Sequence, residues 1–236
     1  MRQNIERGLA GLAAVIGWAG LALQFWLIVE AMGLAGGAWR FLAFFTLLAN
    51  MGAALVATAV ASGATVALAR PKAKFVAATS IALVGLVYSL WLRSTWDPQG
   101  LQRLADIALH DAVPVLFVGM WLAGLHEQLK WRDLFWALVP PLLYCAYALA
   151  RGAVDGFYAY WFLNPVTLTP GAMAASIAVL LAAVAVIAGL LLLIDHWIDD
   201  VKDDPPSANN RVDEAGRESF PASDPPGWTL GENRRE

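Results

Sequence analysis

One cysteine and three histidines in 236 residues exclude much metal and redox chemistry. Cys145 has no partner for an intramolecular disulfide or a cysteine cluster, and inside an apolar run it reads as a small buried hydrophobe. His126 falls in the fourth loop and His196 at the far end of the last apolar segment, so a bis-histidine haem lacks a second ligand level with His110. A catalytic zinc usually takes three protein ligands, and only Asp106, Asp111 and Glu30 stand near His110. No metal and no cofactor are expected. Charge is scarce too, at 15% of residues. The formal net charge of -3 arises at the end of the chain, where positions 199–236 carry ten acids and five bases. The remainder is slightly basic, and no nucleic-acid partner is expected.

What the chain has instead is apolar length. Hydrophobic residues make up 59% and there are 11 tryptophans, a composition that fits a polytopic membrane protein. A hydrocarbon core of about 30 Å needs about 20 apolar residues in a helix. Six stretches qualify, at roughly 8–29, 41–69, 74–93, 102–123, 133–150 and 172–197. The expected fold is therefore all-α, a polytopic membrane bundle of six transmembrane helices spanning residues 1–200. Residues 201–236, rich in Pro, Asp, Asn and Ser, bury too little apolar surface to offset ordering entropy and are expected to be a disordered acidic tail. The first apolar run has no evident cleavage site and reads as a span rather than a signal peptide, with the mature chain starting near Met1.

Six spans place both termini on one side. Outside the tail, seven lysines and arginines (Arg2, Arg7, Arg70, Lys72, Lys74, Lys130, Arg132) lie on the terminal side and four (Arg40, Arg93, Arg103, Arg151) on the other. The bias predicts cytoplasmic termini. The last connection, from Arg151 to Gly171, holds Phe157, Tyr158, Tyr160, Trp161 and Phe162 before Asn164-Pro165. It reads either as an interfacial belt of aromatic rings or as a lid over the outer mouth of the bundle. Gly and Ala on the first, second and sixth helices (Gly17, Gly20, Gly52, Ala53, Ala57) suit close helix approach.

Polar groups within spans are functional candidates because hydrocarbon penalises them. With 1.5 Å per residue, Thr46 lies about 7 Å and Asn50 about 13 Å along the second helix, on one face. His110 lies about 12 Å along the fourth, sharing a face with Asp106 and Pro114. Thr46 and His110 are therefore near one depth. Each has an ordinary structural use as well: a threonine bonds the carbonyl one turn back, and His110 and Asn50 bridge helices. Together they suggest a hydroxyl nucleophile activated by an imidazole. Backbone N–H groups inside a helix are committed, so oxyanion donors are sought among Asn50, Tyr144, Tyr147 and Arg151 or in broken helix.

The ordered fragments Phe44 to Met51 (FFTLLANM), His110 to Pro114 (HDAVP), Trp121-Leu122, Trp131-Arg132-Asp133, Pro141 to Tyr144 (PLLY), Arg151-Gly152 and Gly156 to Pro165 (GFYAYWFLNP) resemble the androgen-induced hydrolase family. The closer resemblance is to its bacterial six-span branch, called Pr-six-Pr, over roughly residues 8–197. Eukaryotic members are threonine hydrolases of fatty acid esters of hydroxy fatty acids, using one threonine and one histidine. The resemblance implies Thr46 and His110 in those roles, a fatty acyl ester substrate and a bacterial inner membrane location. The branch usually carries Tyr-Pro-Tyr-Pro in the last loop, where this chain has Tyr158, Ala159, Tyr160 and Trp161. Ala49 stands where a hydroxyl residue is common.

The expected activity is thus an integral membrane hydrolase in which Thr46 attacks, His110 is base and then acid, and Asn50 orients the hydroxyl or holds the oxyanion. Asp106 orients His110 or is a solvated residue at the helix entrance, Arg151 is an interfacial anchor or pairs with a fatty acid carboxylate, and Tyr158, Tyr160, Trp161 and Asn164 form the pocket or lid. The alternatives are a lipid-binding or transport protein using the same polar pocket and a structural bundle that stabilises a partner. No internal repeat of the kind common in transporters is evident.

Overall fold

The computed structural model describes residues 2–124 and 129–203; the expectations for His126 and for the tail beyond Asp203 fall outside them. Six long helices account for most of the described residues: α1 (Arg2–Phe41), α2 (Phe45–Ala61), α3 (Pro71–Leu92), α4 (Gly100–Ala123), α5 (Trp131–Asp155) and α6 (Pro170–Asp203). No strand occurs among the described residues. Five of the six are long and apolar enough to cross a membrane, whereas α2 has 17 residues, about 25 Å. Large apolar side chains such as Leu55, Leu90, Val115, Leu143 and Leu190 point outward. An apolar exterior on long apolar helices is consistent with an integral membrane protein.

The limits of the first two helices differ from the sequence expectation. α1 continues past residue 29 to Phe41, but breaks at Gly33, whose φ of 74° and ψ of 167° lie outside helical space. The short segment after the break packs on the turn before it, since a Cβ at Gly37 would lie 2.8 Å from Val29 Cα. α2 begins at Phe45 rather than 41 because Phe44 is extended, and it ends at Ala61 rather than 69, with Gly63 at φ 69° turning the chain. The late start of α2 puts Thr46 in the first turn of its helix.

Small residues let the backbones approach, as expected for helices packed without a hydrophobic drive. A Cβ on Gly17 would be 3.3 Å from Ala54 Cβ, and one on Gly20 would be 3.0 Å from Ala108 Cβ. α1 therefore lies against both α2 and α4. Gly52 differs, for it has nothing within 4 Å of where a Cβ would sit. At the end of the bundle holding the α1 N-terminus, Lys74 donates to the buried Glu6 at 2.6 Å, and Lys72 pairs with buried Asp133 at 2.8 Å.

Candidate functional site

His110 is positioned by an interruption of its own helix. Proline at 114 has no N–H for the carbonyl four residues back, and residues Ala108–Ala112 form a π turn in which Val113 N–H reaches Ala108 O. Such turns commonly occur at functional sites. α3 carries a second one at Tyr88–Leu92, closed by Arg93 N–H on Tyr88 O at 2.9 Å. The Tyr88 and His110 rings stack across the two turns, with centroids 4.1 Å apart and planes 15° from parallel. Arg93 bonds Asp111 and joins the turns from outside; that bond raises the Arg93 guanidinium above its usual pKa.

His110 Nδ1 lies 3.1 Å from Asp106 Oδ1 and 3.2 Å from Asp106 O. Both partners are acceptors, so in the neutral ring the hydrogen is assigned to Nδ1 and the lone pair to Nε2, which makes no hydrogen bond within the described residues. Tyr88 donates its hydroxyl to the other carboxylate oxygen of Asp106. Asp106 is buried at 5% exposure, which places it inside the bundle rather than at a solvated helix end. Sequence reading missed Tyr88 altogether. Its signal was an isolated phenol in an apolar run, and nothing in its spacing ties it to a particular residue of the next helix.

Thr46 occupies the second position of α2, where a backbone N–H has no partner within the helix. That N–H donates to the Tyr160 hydroxyl at 3.4 Å, and Thr46 Oγ1 lies 3.4 Å from the same oxygen. Tyr160 comes from the loop before α6, so this part of the aromatic loop does fold over the threonine. Burial holds its phenol above the usual pKa despite the bonds with Thr46.

Asn50 is level with the histidine turn, as the helix geometry required. It is fully buried, and its amide donates to Thr46 O at 2.8 Å and Leu109 O at 3.1 Å. The second bond has a specific cause. Val113 N–H is turned to Ala108 O, and position 114 has no N–H, so Leu109 O lacks a donor in its own helix. Asn50 supplies one across the helix interface. Both amide hydrogens are thereby committed, and Asn50 positions the Thr46 turn rather than contacting its hydroxyl; its Oδ1 has no partner.

Thr46, His110 and Tyr160 line one chamber of about 780 Å³ between α1, α2 and α4, with Gln24, Arg40 and Gln102 toward its polar side. They also line a small pocket of about 40 Å³ on the other side, whose wall includes Phe45 and Tyr144. No hydrogen bond joins Thr46 directly to His110. Tyr144 borders the small pocket, but its hydroxyl is turned onto Ala43 O at 2.8 Å. Tyr147 donates to Leu42 O at 3.1 Å.

The remaining residues singled out in the sequence lie apart. Arg151 is buried against Trp39, 4.0 Å above its ring; it donates to Trp39 O and the Tyr147 hydroxyl, and its Nε faces Asp155 as an ion pair at 3.5 Å without a hydrogen bond. A guanidinium so held ties α5 to the end of α1. The cation on the chamber wall is Arg40 instead. Tyr158 packs against Gly152, Trp161 is exposed, and Asn164 Oδ1 accepts the Val166 N–H at 2.9 Å in a local turn. Of the four lid candidates, only Tyr160 reaches the chamber.

Among the described residues, no three His, Cys, Asp or Glu side chains converge as a metal site. What converges is a hydroxyl, an imidazole with an oriented free nitrogen, a carboxylate behind it and two phenols. The chain matches no protein-family model, no curated protein and no solved structure.

Proposed function

We propose that this chain is an integral membrane hydrolase of lipid esters, with Thr46 as nucleophile and His110 as general base and then acid. The observation that carries the reading is the pairing of a threonine on a helix first turn with a histidine whose Nδ1 is held by a buried carboxylate, on one chamber wall. A carboxylate-held imidazole and a hydroxyl on one chamber wall are the groups that nucleophilic acyl transfer uses, whichever fold supplies them. The resemblance to the androgen-induced hydrolases and the bacterial Pr-six-Pr branch supports the same assignment. Six spans, cytoplasmic termini and a bacterial inner membrane complete the proposal.

In the first step Thr46 Oγ bonds the ester carbonyl carbon while its proton passes to His110 Nε2. A 40 Å³ pocket bordered by both residues is large enough to hold a relaying water. The electron pair displaced onto the carbonyl oxygen faces the Thr46 N–H and the Tyr160 hydroxyl. The start of a helix favours such an anion, and positioned donors lower the barrier to the tetrahedral intermediate. Collapse breaks the ester C–O bond, and the alcohol leaves with the proton from Nε2. Water then attacks the acyl-threonine, His110 takes its proton and returns it to Thr46, and the acid departs.

The test is hydrolysis of a panel of lipid esters by the purified protein beside Thr46→Ala and His110→Ala. Loss of at least about a hundredfold in each is expected for a nucleophile and its base. Equal turnover by all three proteins refutes the mechanism. The lack of a direct Thr46 to His110 hydrogen bond favours one alternative, a lipid-binding protein using the same chamber. That reading predicts saturable lipid binding without turnover.

A further inference from the structure

The chamber is not the end of the accessible space around Thr46. On the opposite side of α2, between α2, α3 and α5, runs a groove of about 570 Å³. Phe45 and Tyr144 form the shared wall, lining both this groove and the small pocket that holds Thr46 and His110. The two rings lie 5.2 Å apart. From Phe45 to Val56 the groove follows α2 for twelve residues, a rise of about 16 Å.

Its chemistry contrasts with that of the chamber. The polar side chains on its wall are turned away: Ser80 Oγ donates to Val76 O at 2.9 Å, Lys72 pairs with Asp133, and the Tyr144 hydroxyl is on Ala43 O. The floor is made of Ala49, Gly52, Ala53, Ala73 and Ala77, and beyond Gly52 no atom of the chain lies within 4 Å of a built Cβ. The chamber, by contrast, presents Gln24, Arg40 and Gln102.

We infer that the groove is the acyl-chain site of the hydrolase, so that a bound ester has its carbonyl at Thr46, its alkyl chain along α2 and its polar alcohol portion in the chamber. This rests on the hydrolase reading for the carbonyl but on the groove's own shape for the chain. An apolar groove whose hydroxyls and Lys72 already have partners, Tyr147 on Leu42 O included, and which otherwise offers only the Trp136 indole N–H, takes a saturated or unsaturated alkyl chain and disfavours any group that must keep its water. Tyr144 is pinned through its hydroxyl and Phe45 has no such tie, so Phe45 is the ring that swings to let the chain pass.

The experiment compares wild type, Gly52→Phe, Gly11→Phe and Thr46→Ala. Gly11, like Gly52, has nothing within 4 Å of a built Cβ but lies on α1, away from the groove, so it controls for an added ring in lipid. Two readouts are used: kcat/KM for an acetate, an octanoate and a palmitate ester of one alcohol, and photolabelling by a diazirine-bearing palmitamide, which is not hydrolysed. Gly52→Phe is expected to lower the palmitate-to-acetate ratio by about tenfold or more, the scale of losing several methylene contacts. It should also remove the saturable labelling of α2, α3 and α5, whereas Gly11→Phe alters neither. Labelling that persists in Thr46→Ala, with hydrolysis absent from every protein, would uphold the groove and overturn the hydrolase reading. Thr46-dependent hydrolysis whose chain-length ratio and labelling ignore Gly52→Phe would overturn the groove. Labelling that never saturates identifies bulk lipid on the groove and overturns it as well.

Discussion

Replacing Asn50 by leucine tests the central packing claim, that a side chain on α2 repairs a carbonyl left without a donor by the π turn and Pro114 in α4. The substitution is close in volume and removes two donors. The bond to Thr46 O is local, and that carbonyl keeps its position in the α2 ladder. The bond to Leu109 O is the one without substitute. Interhelical hydrogen bonds in membrane proteins average about 0.6 kcal/mol and reach about 1.7, and an orphaned buried carbonyl adds to the cost. Against this, leucine relieves the burial of an Oδ1 that has no partner. The net expectation is a loss of about 1 kcal/mol. The sharper measurement is a double-mutant cycle with Pro114→Ala, which restores an N–H in π register with Leu109 O. In that background Asn50→Leu should cost about half as much, a coupling of about 0.5 kcal/mol, near the smallest that such cycles resolve. Reversible unfolding in mixed detergent micelles reads both numbers. The same cost in the two backgrounds would refute the assigned role of Asn50.

Other outcomes follow from the site and from the opposite end of the bundle. Asp106→Asn should lower kcat by roughly 10² to 10⁴, within the range of general acid–base contributions, with little change in KM; Tyr88→Phe, which keeps the stacked ring and removes one bond to Asp106, should lose no more than about tenfold. Rescue of neither kcat nor the pH profile by Asp106→Glu would argue against a positioning role. Tyr160→Phe should lower kcat by about ten- to a hundredfold, at or below the low end for an oxyanion donor because its contacts with Thr46 are long. Since burial raises the Tyr160 pKa, its O–H persists at every pH below about 10, and the alkaline limb of the rate profile should be the same in wild type and Tyr160→Phe. At the other end of the bundle, Lys74→Met alone should destabilise by about 3 to 5 kcal/mol by stranding buried Glu6, whereas Glu6→Gln with Lys74→Met should come close to wild type in chemical unfolding.

Helix geometry alone carried a good part of the site. Apolar run lengths set the all-α class, and the 1.5 Å rise placed Asn50 beside the turn of His110, where the Leu109 bond is found. The four-residue spacing put Asp106 on the His110 face, as its 3.1 Å contact has it. For Arg151 the sequence leaves an anchor and a carboxylate partner both open, because it does not say which acceptors surround a guanidinium. In the fold, Trp39 and Tyr147 take it up before any ligand could. The sequence places the start of α2 four residues too early and so leaves the Thr46 N–H inside the helix; with Phe44 extended, that N–H has no partner within α2 and donates to the Tyr160 hydroxyl.

By itself, the sequence determined the number and character of the apolar helices and the depth of each polar group along them, because both depend only on local rise and on the cost of polar groups in hydrocarbon. Tertiary structure decided which groups face one another. Tyr88 meets His110 only because two π turns on different helices bring their rings together, and Tyr160 meets Thr46 only because a loop more than a hundred residues distant folds back. The division of the surrounding space into a polar-sided chamber and an apolar groove also belongs to the packed state, since a cavity is a property of the gaps between helices and no single helix encodes it.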